Sequence, residues 1–200
     1  MKFTITEEDK AALCRQAPEF TPVVAKTELE EFECHDDLFP ALFEAIVSQQ
    51  LSGKAAAAIY GKLQTLLGEI TAERLRAAST EALRGCGLSA RKAEYLHGIA
   101  AAVLNGSIDF DRLARSDDAT VIAELVKLKG VGVWTAEMLL IFTLGRKDVL
   151  SCRDLGIRRG IMLLNRLESL EENDFEFYRR RYSPYGTLAS LYLWRFQDGE

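Results

Sequence analysis

The sequence has little of the chemistry that metal and redox centres need. Its four cysteines are widely spaced, with no CxxC pair: Cys14, Cys34, Cys86 and Cys152. Its two histidines, His35 and His97, lie far apart in the chain. Such spacing fits neither a zinc site nor an iron–sulfur cluster, and it is typical of reduced thiols in the cytoplasm. We therefore expect a cytoplasmic protein with no iron–sulfur cluster and no metal centre built from side chains.

Long apolar runs and strand-like patterns are absent as well. No apolar segment approaches the roughly 20 residues that a membrane-spanning helix needs, and residues 1–10 lack the apolar core of a secretory signal. No stretch alternates apolar and polar residues with a period of two, and the chain has only four prolines. These absences argue against a membrane protein, a secreted protein and a β-rich fold.

Helix signals dominate the chain instead. Four hydroxyl residues of the N-cap type precede segments with apolar residues at helical spacing: Ser52, Thr71, Thr80 and Ser89. Gly68 and Gly106 stand where two of these segments end. The pattern predicts an all-α protein of about eight to ten short helices, without a long linker.

The charge is unevenly distributed along the chain. The net charge is −5, and an acidic run extends from Glu28 to Asp37. Between Lys127 and Arg166, eight basic residues stand against three acidic ones. A basic face on an acidic protein can bind DNA. The alternative, which charge alone leaves open, is that both runs are merely solvated surfaces.

The segment LKGVGVWTAEMLL, Leu128–Leu140, places two glycines around one valine between helical segments. Gly130 and Gly132 permit positive φ values and a close approach of another molecule to the backbone. The amides of such a turn and of the next helix start can bind a phosphate. A tight turn between two helices is the alternative, because LRGCGLS (Leu83–Ser89) has the same L-x-G-x-G form. The pattern alone does not separate the two.

The segment after the hairpin, VWTAEMLLIFTLGRKDVLSCRDLGIRRG, resembles the helix-hairpin-helix DNA glycosylase superfamily, in the branch of 3-methyladenine DNA glycosylase II. Three further segments have counterparts there in the same order: Ala45–Leu63, Gly87–Leu96 and Ser183–Arg195. The resemblance implies one glycosylase domain over residues 1–200, with two helical lobes and the active site in the cleft between them. The lobes would be residues 37–145, with the hairpin at 128–134, and residues 1–36 with 146–200.

The resemblance also implies the reaction. The family places one aspartate about twenty residues after the hairpin, and Asp154 stands there; its carboxylate would stabilise an oxocarbenium-like sugar. Asp154 also suits the N-cap of the next helix, and the two roles are compatible. Asp148 is the alternative acid of this stretch. Trp134 occupies the position of the Schiff-base lysine of bifunctional members, so we expect a monofunctional hydrolase that uses water.

The contacts with the substrate come from the same resemblance. Trp134 and Trp194 would wall the pocket of a flipped, cationic base, and Met138 stands where the family has another pocket aromatic. Gln50 is the candidate for the wedge that fills the space left by the flipped base. The residues expected to contact DNA are Gln49, Gln50, Leu51, Lys129, Gly130, Val131, Gly132, Trp134 and Thr135.

No cofactor is expected for the chemistry. The family instead suggests that a structural Na⁺ or K⁺ binds the hairpin through the carbonyls of Val126, Leu128 and Val131 when DNA is present.

The sequence therefore predicts a monomeric base-excision repair glycosylase. It would flip alkylated purines, of the 3-methyladenine and 7-methylguanine type, out of double-stranded DNA and hydrolyse their N-glycosidic bonds. Neutral lesions would be removed poorly, because no general acid is evident. Two alternatives are a non-catalytic helix-hairpin-helix damage sensor or scaffold, and a glycosylase for mismatched or deaminated bases.

Overall fold

The computed structural model describes residues 2–34, 37–197 and 199. His35, one of the two histidines, lies outside the described residues. The part described contains thirteen α-helices, a 3-10 helix at Pro18–Phe20 and a two-stranded antiparallel sheet. The all-α prediction is confirmed, but the expected eight to ten helices are too few, because helices of four to six residues are too short to show a period. None of the helices described is long and apolar enough to cross a membrane.

The elements follow one another along the chain as β1 (Lys2–Phe3), α1 (Glu7–Gln16), α2 (Thr21–Val24), β2 (Phe32–Glu33), α3 (Leu38–Ser48), α4 (Gly53–Leu67), α5 (Ala72–Ala77), α6 (Thr80–Gly85), α7 (Ala90–Leu104), α8 (Phe110–Ala114), α9 (Asp118–Leu125), α10 (Val133–Phe142), α11 (Leu155–Asn165), α12 (Glu172–Tyr182) and α13 (Gly186–Gln197). In the small sheet, Lys2 pairs with Glu33 and Phe3 pairs with Phe32.

The chain forms two compact units. The central unit comprises residues 35–139, and the terminal unit comprises residues 1–34 and 140–200. The predicted lobes, 37–145 and 1–36 with 146–200, differ from these units by a few residues. The second boundary falls inside α10, so this helix contributes residues to both units.

The central unit is built around α7, which packs against α3, α5 and α6. Serine and threonine side chains cap α4, α5, α6 and α7, whereas aspartates cap α3, α8 and α9. Ser52 Oγ accepts from Ala55 N at 3.4 Å, and Ser89 Oγ accepts from Lys92 N at 3.2 Å. The predicted cap at Thr80 is wrong, because Ser79 caps α6 and Thr80 is its first residue. The buried aliphatic side chains include Leu42, Ile46, Leu63, Leu75, Leu83 and Leu96.

The terminal unit depends on the packing of α11 against α13. Ile157 and Ile161 of α11 and Tyr192 of α13 are completely buried. The close approach requires Gly160, because a Cβ at this position would lie 2.7 Å from the carbonyl oxygen of Leu193. In the sequence this glycine is simply one residue of an amphipathic helix, with no sign of the close contact.

Gly160→Ala is expected to lower the free energy of unfolding by about 1–3 kcal/mol, because the added methyl group forces α11 and α13 apart. Gly61→Ala, in the middle of α4, is the matched control, since a Cβ there meets no atom within 4 Å. It should raise the free energy of unfolding by about 0.5–1 kcal/mol through helix propensity. Urea titrations of the two variants measure both values, and equal shifts would contradict the packing role of Gly160.

Candidate functional site

The turn between α9 and α10, residues 126–132, is called here the hairpin turn. Val131 donates its N–H to the Leu128 carbonyl at 3.1 Å, and its side chain is buried. Gly130 has φ +89°, and a Cβ there would lie 2.3 Å from the ring of Tyr95. The protein itself therefore requires glycine at position 130, both for the backbone angle and for the aromatic ring that covers it.

Gly132 differs from Gly130 in a way that the sequence does not show. A Cβ at Gly132 would meet nothing within 4 Å, and the residue is exposed. Its carbonyl accepts the first hydrogen bond of α10, from Ala136 N at 3.1 Å. The fold does not need glycine here, so the missing Cβ leaves the outer surface of the hairpin turn open to another molecule. The first N–H groups of any α-helix lack partners within the helix, and such a helix start is a common binding site for an anion.

The other residues predicted to contact DNA at the hairpin differ in accessibility. Lys129 is exposed and forms a 2.9 Å ion pair with Glu94. Hydrogen bonding to Glu94 raises the pKa of Lys129, which keeps its positive charge. Trp134 is 44 % exposed, and Met138 is partly buried. Thr135 is buried, so only its backbone amide, near the start of α10, remains a candidate for DNA contact.

The predicted wedge lies in a tight turn, Ser48–Leu51, called here the wedge turn. Leu51 N donates to the Ser48 carbonyl at 3.1 Å. Gln49 has φ −49° and ψ 130°, and Gln50 has φ +57°, angles that match a type II turn. This turn favours glycine at the position of Gln50, where a side chain costs about 1–2 kcal/mol. Gln50 and Leu51 are both exposed.

Two side chains hold the wedge turn from within the central unit. Gln49 Nε2 donates to the Gly130 carbonyl at 3.0 Å, which joins the wedge turn to the hairpin turn. Lys92 Nζ donates to the carbonyls of Val47 and Gln49, each at 2.7 Å. Burial, with a smaller effect of Arg91, lowers the pKa of Lys92.

Asp154 lies in the terminal unit, at the start of α11. Its Oδ1 accepts from Ile157 N at 2.8 Å, which confirms that it is the N-cap of this helix. The same oxygen accepts from Trp194 Nε1 of α13 at 2.9 Å. Asp154 is buried. Gly156 makes room for this arrangement, because a Cβ there would lie 2.8 Å from Trp194 Cδ1. Two donors from different helices therefore hold the carboxylate in one orientation.

Asp148, the alternative acid, forms hydrogen bonds that stabilise the fold. Its carboxylate accepts from Ser183 Oγ at 2.6 Å and from Gly186 N at 3.1 Å, so it joins the loop before α13 to the start of that helix. A Cβ at Gly186 would lie 2.8 Å from Asp148 Oδ1, which explains the glycine. These contacts give Asp148 a structural role and favour Asp154 as the residue for chemistry.

Phe142 is a functional candidate that the sequence reasoning missed. Its ring stacks on Trp194, with centroids 5.8 Å apart and planes at 21°, yet 43 % of the residue is exposed. Phe32 supports it at 5.3 Å, and Phe3 stacks on Phe32 at 4.9 Å. A signal was available, because Phe142 follows Met138 by four residues, the spacing of one helix face.

No cluster of three or more His, Cys, Asp or Glu side chains in the described part of the chain could hold a metal ion. The carbonyls of Val126, Leu128 and Val131 stay predicted ligands of a monovalent cation. Leu128 O already accepts from Val131 N, and a carbonyl oxygen has a second lone pair that such an ion can use. The residues present are thus compatible with the ion.

Comparisons with known proteins agree on one family. A family model described as "HhH-GPD superfamily base excision DNA repair protein" matches residues 43–182. DNA-3-methyladenine glycosylase 1 of Schizosaccharomyces pombe is 38% identical over 162 residues, which cover 78% of this chain and 71% of the relative.

Two solved structures resemble the fold of this chain. A DNA-3-methyladenine glycosidase from Bacillus halodurans has a TM-score of 0.84 and 35% identity, and the match covers 100% of this chain and 93% of that one. The S. pombe 3-methyladenine DNA glycosylase in complex with abasic DNA has a TM-score of 0.73 and 32% identity, with 96% and 92% covered.

The two hairpin glycines should respond differently to a methyl group. Gly130→Ala is expected to lower the free energy of unfolding by about 2–4 kcal/mol, because it adds a left-handed alanine and a contact with the Tyr95 ring. Gly132→Ala should cost less than about 1 kcal/mol, the difference between glycine and alanine at a helix start. Thermal and urea unfolding of the two variants measure this. Similar losses in both would mean that Gly132 also serves the fold.

Proposed function

This chain belongs to the HhH-GPD superfamily of base excision DNA repair proteins, and we propose that it is a monofunctional DNA glycosylase that hydrolyses the N-glycosidic bond of alkylated purines. The observation that carries this proposal is the carboxylate of Asp154, which is buried and held by Ile157 N and Trp194 Nε1. The family resemblance predicts the catalytic aspartate at this position.

The proposed reaction needs little more than this carboxylate. As the N-glycosidic bond breaks, the base leaves with the bonding electron pair and the sugar becomes an oxocarbenium-like cation. A fixed negative charge stabilises that cation. Water then adds to the anomeric carbon and loses a proton to the solvent. A purine alkylated on a ring nitrogen leaves as a neutral base, so the reaction requires no general acid.

The aromatic pair beside Asp154 supports a site for a planar base. The indole N–H of Trp194 binds the carboxylate, while its ring stacks on Phe142, whose exposed part is available to a ligand. An electron-rich aromatic surface attracts a cationic, electron-poor base by stacking and cation–π interaction. We propose that Phe142 and Trp194 contact the base. Trp134 and Met138 stay predicted contacts from the family resemblance.

The hairpin turn is the proposed phosphate contact. Gly132 leaves its surface open, and it directly precedes the start of α10, a place where helices commonly bind anions. The relative from S. pombe was solved with abasic DNA. Contacts of this kind position the protein on DNA without reading sequence. We propose a monomer that acts on alkylated bases in double-stranded DNA.

Strand cleavage is not expected from this protein. A lyase step needs an amine that attacks the sugar, and the family resemblance aligns Trp134 with the lysine of the bifunctional members. An indole nitrogen is not basic and forms no Schiff base. The product is therefore an intact strand with an abasic site.

A duplex with one 7-methylguanine or 3-methyladenine tests the function directly. We expect release of the free base, with strand scission only after hot alkali. Scission without alkali would indicate a lyase. Binding of the duplex without base release would favour a damage sensor or scaffold. Release of mismatched or deaminated bases in preference to alkylated ones would favour the third candidate.

Asp154→Asn is expected to reduce base release by at least about 10²-fold, the effect of losing one electrostatic stabiliser. The amide oxygen of asparagine can still accept both hydrogen bonds, so the melting temperature should change little. DNA affinity should be kept or improved, because a negative charge is lost. Asp148→Asn is the matched control and should retain most activity. An Asp154→Asn variant with near-normal turnover would exclude this carboxylate from the chemistry.

Trp194→Phe separates the two contacts of this residue. Phenylalanine keeps an aromatic ring against Phe142 but cannot donate to Asp154. A hydrogen bond to a charged group contributes about 1.5–3 kcal/mol, so single-turnover excision should fall by roughly 10- to 100-fold. DNA affinity should be unchanged within a few-fold. An unchanged rate would mean that the indole N–H is not needed to orient the carboxylate.

A further inference from the structure

The wedge turn has a conformation that its own sequence does not favour. Gln50 adopts φ +57° in a type II turn, where glycine or asparagine is preferred. Strained backbone angles persist only where the surrounding structure fixes them, and they occur often at functional sites. Contacts within the central unit must therefore hold Gln50 at its positive φ.

Two side chains provide those contacts. Lys92, from α7, binds the carbonyls of Val47 and Gln49 at 2.7 Å each, where α3 ends and its last carbonyls lack helical partners. Gln49 itself turns its amide toward the hairpin turn and donates to the Gly130 carbonyl at 3.0 Å. Gly130 is in turn covered by Tyr95 of the same helix α7. One N–H of the Gln49 side-chain amide therefore serves a contact within the protein.

We propose that Gln49 and Lys92 are positioning residues that brace the wedge turn against the hairpin turn and so present Gln50 as a rigid wedge for the strand that loses a base. This inference rests on the proposed function. It gives the Gln49 side chain, until now a predicted DNA contact, the further task of supporting Gln50. It also links the two turns, so a phosphate bound at the hairpin fixes the place at which the wedge enters.

The brace matters only where a base pair must be opened. A wedge stabilises the open duplex by filling the space beside the orphaned partner base. If the lesion lies opposite an abasic-site analogue, no pair has to be broken, and a poorly held wedge costs little. A change in the brace should therefore separate the two substrates, whereas a general loss of folding or of chemistry should affect both alike.

The test compares single-turnover excision of 7-methylguanine placed opposite cytosine or opposite a tetrahydrofuran abasic analogue. Gln49→Met keeps the length of the side chain but removes its N–H donors. We expect about a tenfold or larger loss on the paired substrate, the scale set by backbone strain at one residue, and less than about a threefold loss on the unpaired one. Lys92→Met should show the same selectivity. Gln64→Met, on the exposed face of α4, is the matched control and should alter neither rate.

Amide hydrogen exchange gives a second readout that needs no activity. The Leu51 amide donates to Ser48 within the wedge turn, and its exchange should become at least about tenfold faster in Gln49→Met if the brace holds the turn. Equal losses on both duplexes, or an unchanged exchange rate at Leu51, would overturn the proposal. If the wild type releases no base from either duplex, the proposed function fails, and the exchange rate still decides whether the brace exists.

Discussion

The hydrogen bonds to Asp154 have two effects: they stabilise the terminal unit, and they orient the carboxylate proposed for the chemistry. One carboxylate oxygen caps α11 and accepts the indole N–H of α13, the two helices whose packing forms the core of this unit. The close contact at Gly160 and the space left by Gly156 keep these helices near enough for the arrangement. The charge that would meet the sugar cation is thus held by the same interactions that hold the fold.

Much of this organisation could be predicted from the sequence because it depends on local signals. The caps at Ser52, Thr71 and Ser89 depend on a hydroxyl a few residues before an apolar pattern. Asp154 combines a carboxylate cap with a position that the family resemblance predicts. Helices of four to six residues could not be predicted, because they contain too few turns to show the helical spacing of apolar residues. The assignment of the α6 cap to Thr80 failed because two adjacent hydroxyl residues offer the same signal.

What could not be predicted depends on contacts between residues distant in the chain. Two examples join segments that are far apart in sequence. Phe142 stacks on Trp194, and Gln49 forms a hydrogen bond with the Gly130 carbonyl. The two hairpin glycines look equivalent in the motif. The backbone angle of Gly130 and the ring of Tyr95 require glycine at one of them, whereas a Cβ at the other would meet no atom within 4 Å. Two identical residues of one sequence motif therefore have different roles, which only the tertiary structure distinguishes.

The left-handed angle of Gln50 has a consequence for protein engineering. A procedure that optimises each position for its backbone would choose glycine or asparagine at this turn, and the resulting protein would be more stable. It would also lack the exposed glutamine that is the candidate wedge. Natural sequences often carry such local costs at functional positions. Thermostabilised versions of this chain should therefore keep position 50 fixed and gain their stability elsewhere, for example at the open helical glycine Gly61.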